Sequence, residues 1–401
     1  MARDPVLTRY VCTAVCARLA DEGARVSIVL LALDRTGRAS LGGLLVAALM
    51  VPHVLAAPAA GAAADAVRRR RVLYLAAFLA YASCLLTAAL LIGPATPLAA
   101  VALVLAGCCA PLLIGGLSSL LGELAPDRIE RAFALDATSY GAAGIAGPAL
   151  AAVVAGLAGP GWSMLALTLL VVVAGLFLAT LPLAVRPPRE DGGRWRPAVL
   201  LAAVPVLWQR PRLGAVTAAA TLNAVGMGAL PLVAALLAVQ AHRPALTGAI
   251  LSTAAAGGLA GSLWCARFPV RRRPEAVLLA CVGATAVPFL LVALVPAGWW
   301  MLPLFAVVGL LGAPQAVTTF AVRDQESPRD VRTQVFTLGA GLKVTGSAAG
   351  AAIAGLAAGA GTVALLAGVA ACPVLGLAAG AGVLGRRGSR HARVPAAAEY
   401  R

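Results

Sequence analysis

The sequence predicts an all-α membrane protein in which twelve transmembrane helices form two six-helix pseudo-repeats around a central cavity, and three observations predict it. Hydrophobic residues make up 61% of the 401-residue chain and charged ones 12%, about half the share of a soluble protein, and the mean hydropathy is +0.91. Apolar runs of about 20 residues, the length that carries a helix across about 30 Å of hydrocarbon, recur along the whole chain. Short arginine clusters fall on alternate connections, and the second half of the chain repeats features of the first.

Apolar runs bounded by charge and by Gly/Pro punctuation place the first six spans near 6–33, 40–64, 72–92, 97–121, 137–158 and 162–184. The second six lie near 213–239, 246–268, 276–296, 300–322, 334–359 and 362–385. The domain organisation expected is an N-terminal half 1–184, a cytoplasmic basic linker 185–212, a C-terminal half 213–385 and a cytoplasmic basic tail 386–401. With this parity 26 of the 32 basic side chains face the cytoplasm and only Arg35, Arg38 and Arg243 face the other side. That split predicts an inner, cytoplasmic membrane protein with both termini in the cytoplasm. The first span is the weakest, because Arg18, Asp21, Glu22 and Arg25 divide it into apolar pieces too short to cross alone. An interfacial first helix with eleven spans is the alternative, but it would put the N-terminus opposite the basic tail and break the repeat.

The repeat has an offset of 203 residues, which lays Arg68, Arg69 and Arg70 on Arg271, Arg272 and Arg273, Ala110-Pro111 on Ala313-Pro314, and Glu123 on Glu326. Two similar halves with a site between them near the midplane are the architecture of a parallel-repeat transporter.

Several chemistries are excluded. The net charge of +16 is spread over short Arg runs between apolar segments, which argues for topology and a lipid bilayer partner rather than nucleic acid. The eight cysteines lie in apolar stretches without zinc spacing, and His53, His242 and His391 are too far apart for a His-Glu-x-x-His site, so no metal and no cofactor is expected. A phosphate-binding loop needs a Gly-Lys pair, and the single lysine, Lys343, follows Leu342, so ATP does not drive this chain. No second cluster of polar groups offers a catalytic site, and the protein is read as not an enzyme.

After span two, Gly61-Ala-Ala-Ala-Asp65-Ala-Val-Arg68-Arg69-Arg70 resembles the G-x-x-x-D-R-x-G-R-R/K loop signature of the major facilitator superfamily. Gly61, Asp65, Arg69 and Arg70 match it, and Ala66 and Arg68 depart from it. In span five, Gly144-Ile-Ala-Gly147-Pro148 looks like a degraded form of the signature of that superfamily's proton-coupled antiporters, with Ala151 and Ala152 in place of two glycines. The wider pattern resembles the drug, macrolide and siderophore efflux branch, although span four lacks the Arg-x-x-Gln-Gly element of many drug antiporters. The resemblance implies that Asp65 lies near Thr333 and Gln334 at the start of span eleven, where free N–H groups and the helix dipole favour an anion, and latches one access state. An acid merely solvated among arginines is the other reading. Gly147-Pro148 would bend span five and let a neighbour approach; ordinary small-residue packing is the alternative.

Arg18, Asp21, Glu22 and Arg25 occupy one face of the first helix, and four unpaired ions at the bilayer centre would cost about 10–14 kcal/mol. They must pair or face water. Two internal ion pairs would satisfy them without any part in transport. In the functional reading, Asp21 or Glu22 takes up a proton, with His53 of span two as a relay, and alters the balance with Arg18, Arg25 and Lys343. Asn223, Gln315, Thr318 and Thr319 are candidate substrate contacts, because the resembling superfamily lines its cavity with spans seven and ten; bonding to nearby backbone is the alternative. The function expected is proton-coupled export of a small amphipathic organic compound by a monomer using alternating access. An uptake carrier and a non-transporting receptor are the alternatives.

Overall fold

The computed structural model describes residues 5–185, 202–243, 245–270, 273–357 and 360–391, which are helical almost throughout and contain no strand. The helices are α1 Pro5–Thr36, α2 Ala39–Ala66, α3 Arg70–Leu91, α4 Thr96–Leu124, α5 Ile129–Ala158, α6 Pro160–Ala179 and α7 Ala203–Gln209. They continue as α8 Pro211–Gln240, α9 Ala245–Arg267, α10 Pro274–Ala293, α11 Leu302–Glu326, α12 Arg332–Leu356 and α13 Thr362–His391.

Among the described residues, ten helices are long and apolar enough to cross a membrane. Two further long helices, α1 and α12, fall outside that set because α1 carries four charges mid-helix and α12 carries Lys343 among Gly, Ser and Thr. Burial inside the bundle compensates: Arg18 and Asp21 of α1 are both buried, and α1 is one continuous helix of 32 residues.

Two helices are interrupted. Pro111 is followed in α4 by a π-turn over Leu112–Gly116, and the Gly116 carbonyl accepts hydrogen bonds from Tyr74 Oη at 2.8 Å and Ser119 Oγ at 2.7 Å. In α8 the break at Ala229 precedes Pro231, which has no N–H to give.

Several boundaries differ from expectation. Helix α5 begins at Ile129 rather than 137, and α11 runs to Glu326 rather than 322, so Asp136 and Arg323 lie inside helices instead of in loops. The expected tail at 386 is still helical to His391. The end of the expected linker forms α7, whose Leu207 and Ala203 pack with Leu213 and Val335. The rest of that linker from 186 to 201, Arg271 and Arg272 of the repeat, and the tail beyond 391 lie outside the described residues.

Within the first six helices α1 packs on α5 and α6, α2 on α4, and α3 on α4 and α6. Farther along the chain α8 packs on α12 and α13, α9 on α11, and α10 on α11 and α13. Across these groups α2 meets α12 and α5 meets α9. At the end carrying Arg69 and Arg70, called the basic end, one apolar core joins Phe133 to Cys265, Phe320 and Phe336. A separate core around Val233, Phe289 and Phe305 holds the far end of the later helices and includes no residue of α1–α6.

Candidate functional site

Three clusters of polar groups sit in this frame. The first lies at the basic end. Thr333 N–H donates to Asp65 Oδ1 at 3.1 Å and Gln334 N–H to Asp65 Oδ2 at 2.9 Å, so the carboxylate takes two otherwise unpaired donors at the start of α12. Gly61 is needed here, because a Cβ at that position would collide with Gln334 and Thr337. Arg70 is buried and bonds Glu123 Oε1 at 2.6 Å, with Thr333 Oγ1 at 3.4 Å, whereas Arg69 is exposed. Beside this contact, Phe133 of α5 packs tilted against Phe320 of α11 and stacks on Phe336 of α12, with centroids 5.9 and 6.4 Å apart. These rings bridge early and late helices.

The second cluster is the charge stripe of α1, and the structure splits it. Arg18 does not pair with Asp21 or Glu22: its Nη1 lies 2.8 Å from Asp136 Oδ1. It also donates to Ser118 Oγ at 3.1 Å and to Ser139 Oγ, and its guanidinium stands 3.5 Å from the centre of the Tyr140 ring. Asp136 is completed by Tyr10 O–H at 2.6 Å and Ser118 O–H at 2.7 Å. Starting span five at 137 left Asp136 outside the membrane. The signal that would have found it is an acid eight positions before Gly144 with no proline and no other charge between.

Arg25 takes both remaining acids, Asp21 Oδ2 at 2.6 Å and Glu22 Oε2 at 2.9 Å. Tyr81 O–H donates to Asp21 Oδ1 at 2.9 Å, leaving Asp21 at 5% exposure while Glu22 stays at 34%. His53 is buried and lines a small cavity with Asp21, Arg25, Leu49, Met50 and Val344. Glu22 meets α5 at Gly147, where a Cβ would stand 2.8 Å from the Leu19 carbonyl and 3.0 Å from Glu22 Cβ. Pro148 follows inside α5, while Gly144 is exposed and faces open space.

The third group lies in the later helices. Asn223 Nδ2 donates to Gln315 Oε1 at 2.9 Å, and Gln315 Nε2 donates to Thr285 Oγ1 at 3.0 Å and to the Cys281 carbonyl at 3.2 Å. Thr318 and Thr319 are buried, and their hydroxyls bond the carbonyls of Pro314 and Gln315 one turn back, each at 2.6 Å. The four form an internal network more than a lining, with Asn223 the most accessible. Lys343 is exposed one turn beyond Gly339, against which the buried Arg323 guanidinium packs. Arg323 was missed because span ten was ended at 322.

A helical membrane bundle whose early and late helices are joined at one end by a carboxylate on a helix terminus, and that buries charged groups among its helices, has the make-up of a polytopic solute transporter. The sequence model of the Major Facilitator Superfamily matches residues 10–351, and the chain belongs to that family of transporters, which are not enzymes. The human organic anion transporter MFSD10 (TETRAN) has a similar structure, with a TM-score of 0.78 over 94% of this chain and 99% of that one at 16% identity. A bacterial homologue of the iron transporter ferroportin in an outward-facing state gives 0.76 over 95% and 99% at 14% identity. The proton:xylose symporter XylE gives 0.69 over 93% and 94% at 12% identity. No curated protein matches the chain by sequence. At these identities the structural likeness carries the fold alone.

Proposed function

We propose that this transporter exports a small amphipathic organic compound in exchange for protons, as a monomer of twelve transmembrane helices in the inner membrane. Two six-helix halves, 1–184 and 213–385, joined by 185–212, enclose a central cavity, and both termini face the cytoplasm. The matching packing order of the early and late helices supports the two halves, and the arginine distribution supports the orientation. On this orientation the basic end is the cytoplasmic gate, latched here by Asp65, and alternating access requires that latch to break.

The observation that carries the reading is one cation shared by two acids: Arg25 balances only one of Asp21 and Glu22. One carboxylate in excess at membrane depth is costly when ionised and cheap when protonated, so proton binding and conformation are coupled. Asp21 is held by Arg25 and Tyr81, whereas Glu22 holds only Arg25 and is accessible, so Glu22 is assigned the exchanging proton and Asp21 the positioning role. His53 lines a small cavity with Asp21 and Arg25 and is assigned the relay. Gly61, Asp65, Arg69 and Arg70 serve the latch. Gly147 and Pro148, with Gly144 on the same helix, let α5 press on α1 at Glu22, and Asn223, Gln315, Thr318 and Thr319 shape the substrate side of the later helices.

The test uses reconstituted vesicles carrying the full chain with an imposed proton gradient and a panel of amphipathic compounds. Gradient-dependent accumulation of at least one class supports export. A gradient that drives movement in the opposite sense assigns an uptake carrier, and binding without flux in any direction assigns a receptor.

A further inference from the structure

Two cations of the later helices have no counter-charge. Arg323 of α11 is 4% exposed, its Nε is sealed from solvent and unbonded, and it makes no hydrogen bond or ion pair with any described residue. Lys343 of α12 makes none with any described residue either. The two are neighbours: the Arg323 guanidinium packs on Gly339, and Lys343 follows one turn later on the same helix face, within electrostatic reach of Arg323. That face turns inward, since Gly346 and Gly350 on it touch Thr221 and Val225 of α8.

Nearby acids are engaged elsewhere. Asp324 lies 3.0 Å from Arg332, and Glu326 and Glu275 lie 2.9 and 2.8 Å from Arg212. On α1 and α5 Asp136 is taken by Arg18 and Asp21 by Arg25 and Tyr81, while Glu22 shares Arg25 and packs against Gly147 of α5. A guanidinium buried without an acid is expensive, and an aliphatic side chain would be cheaper, so an anion from outside the chain is the missing partner of Arg323, with the exposed Lys343 ammonium beside it.

We propose that Arg323 and Lys343 form an anion-binding subsite for the carboxylate, sulfonate or phosphate group of an amphipathic organic anion. The guanidinium offers a planar fork to two oxygens and the ammonium a point charge beside it. The proposal names the substrate class of the export reading and rests on it only for how the anion arrives; binding without transport leaves it intact.

The experiment measures binding of naphthalene-2-sulfonate and of the uncharged naphthalene-2-sulfonamide to the full chain in phosphatidylcholine nanodiscs, by calorimetry and by thermal shift. Wild type should prefer the sulfonate by about tenfold or more, a difference that each of Arg323→Gln and Lys343→Gln should reduce and the double variant should erase, with sulfonamide affinity unchanged. Arg323→Lys should restore part of the preference. Because the change removes unpaired charge, the double variant should be no less heat-stable than wild type without ligand, and the sulfonate should stabilise wild type only. Added phosphatidylglycerol separates two sources of the anion: competition assigns a lipid headgroup, and unchanged affinity a free solute. No saturable sulfonate binding, or equal sulfonate affinity in wild type and the folded double variant, overturns the proposal. Gradient-driven flux of uncharged compounds, measured on the same variants, tests the export reading separately.

Discussion

Arg18 and Asp136 form a buried ion pair between α1 and α5, with Nη1 and Oδ1 2.8 Å apart and exposures of 1% and 0%. Three hydroxyls, from Tyr10, Ser118 and Ser139, complete it, so both charges are matched and hydrogen-bonded. Such a pair is a structural tie more than a titrating site, and the consequence can be measured. Asp136→Asn should leave a buried guanidinium uncompensated and destabilise the protein by about 3–5 kcal/mol. The double change Arg18→Met with Asp136→Leu should recover much of the loss, read as folded yield and thermal midpoint in detergent. A destabilised double variant and a stable single one would reverse the assignment.

Asp65→Asn replaces a carboxylate that accepts two backbone N–H bonds by an amide that accepts one and turns a donor towards the other. Losing one satisfied buried bond costs about 1–3 kcal/mol, which moves a two-state equilibrium about 5- to 150-fold towards opening of the basic end. A single cysteine at position 337 of α12, under the closed gate, should label faster in Asp65→Asn while the protein inserts normally. Unchanged labelling and transport would make Asp65 a surface acid.

The membrane class was legible because hydropathy and arginine asymmetry are summed over many residues and tolerate local error. The contact of Asp65 with the start of α12 was legible for a different reason: Gly61 and Asp65, four residues apart near the C-terminal end of α2 and followed by arginines, form a pattern that few other sequences have cause to place there. What failed was depth. Asp136 and Arg323 each lie within four residues of an apolar run, and hydropathy ends a span at the first charge even when the helix continues and the charge is buried by its neighbours. The partner of Arg18 was unreadable for a related cause, because spacing along α1 favours Asp21 and Glu22 equally, and only packing against α5 decides.

Sidedness follows from the arginines and has its own test. Single cysteines at positions 69, 194 and 272 should react from the cytoplasm, and those at 93 and 298 from outside, on a background cleared of the eight native cysteines. Labelling of position 194 from outside would overturn both the twelve-helix count and the naming of the latched end as cytoplasmic.

The proton assignment separates two acids one residue apart. Asp21→Asn removes a partner of both Arg25 and Tyr81 at 5% exposure, so its first effect should be on folding, with lower yield and a lower thermal midpoint, rescued in part by Arg25→Gln. Glu22→Gln leaves Arg25 still paired with Asp21 and removes only the accessible carboxylate, so it should insert and fold as wild type does. Without a group to take up the proton, that variant should lose gradient-driven accumulation by about tenfold or more while keeping substrate-for-substrate exchange, because exchange needs no change of protonation. Accumulation and exchange measured on the same vesicles distinguish coupling from mere binding, and full accumulation in Glu22→Gln would return the role to Asp21 or His53. If neutralising both acids together in a folded protein leaves accumulation intact, the proton does not travel through this cluster at all.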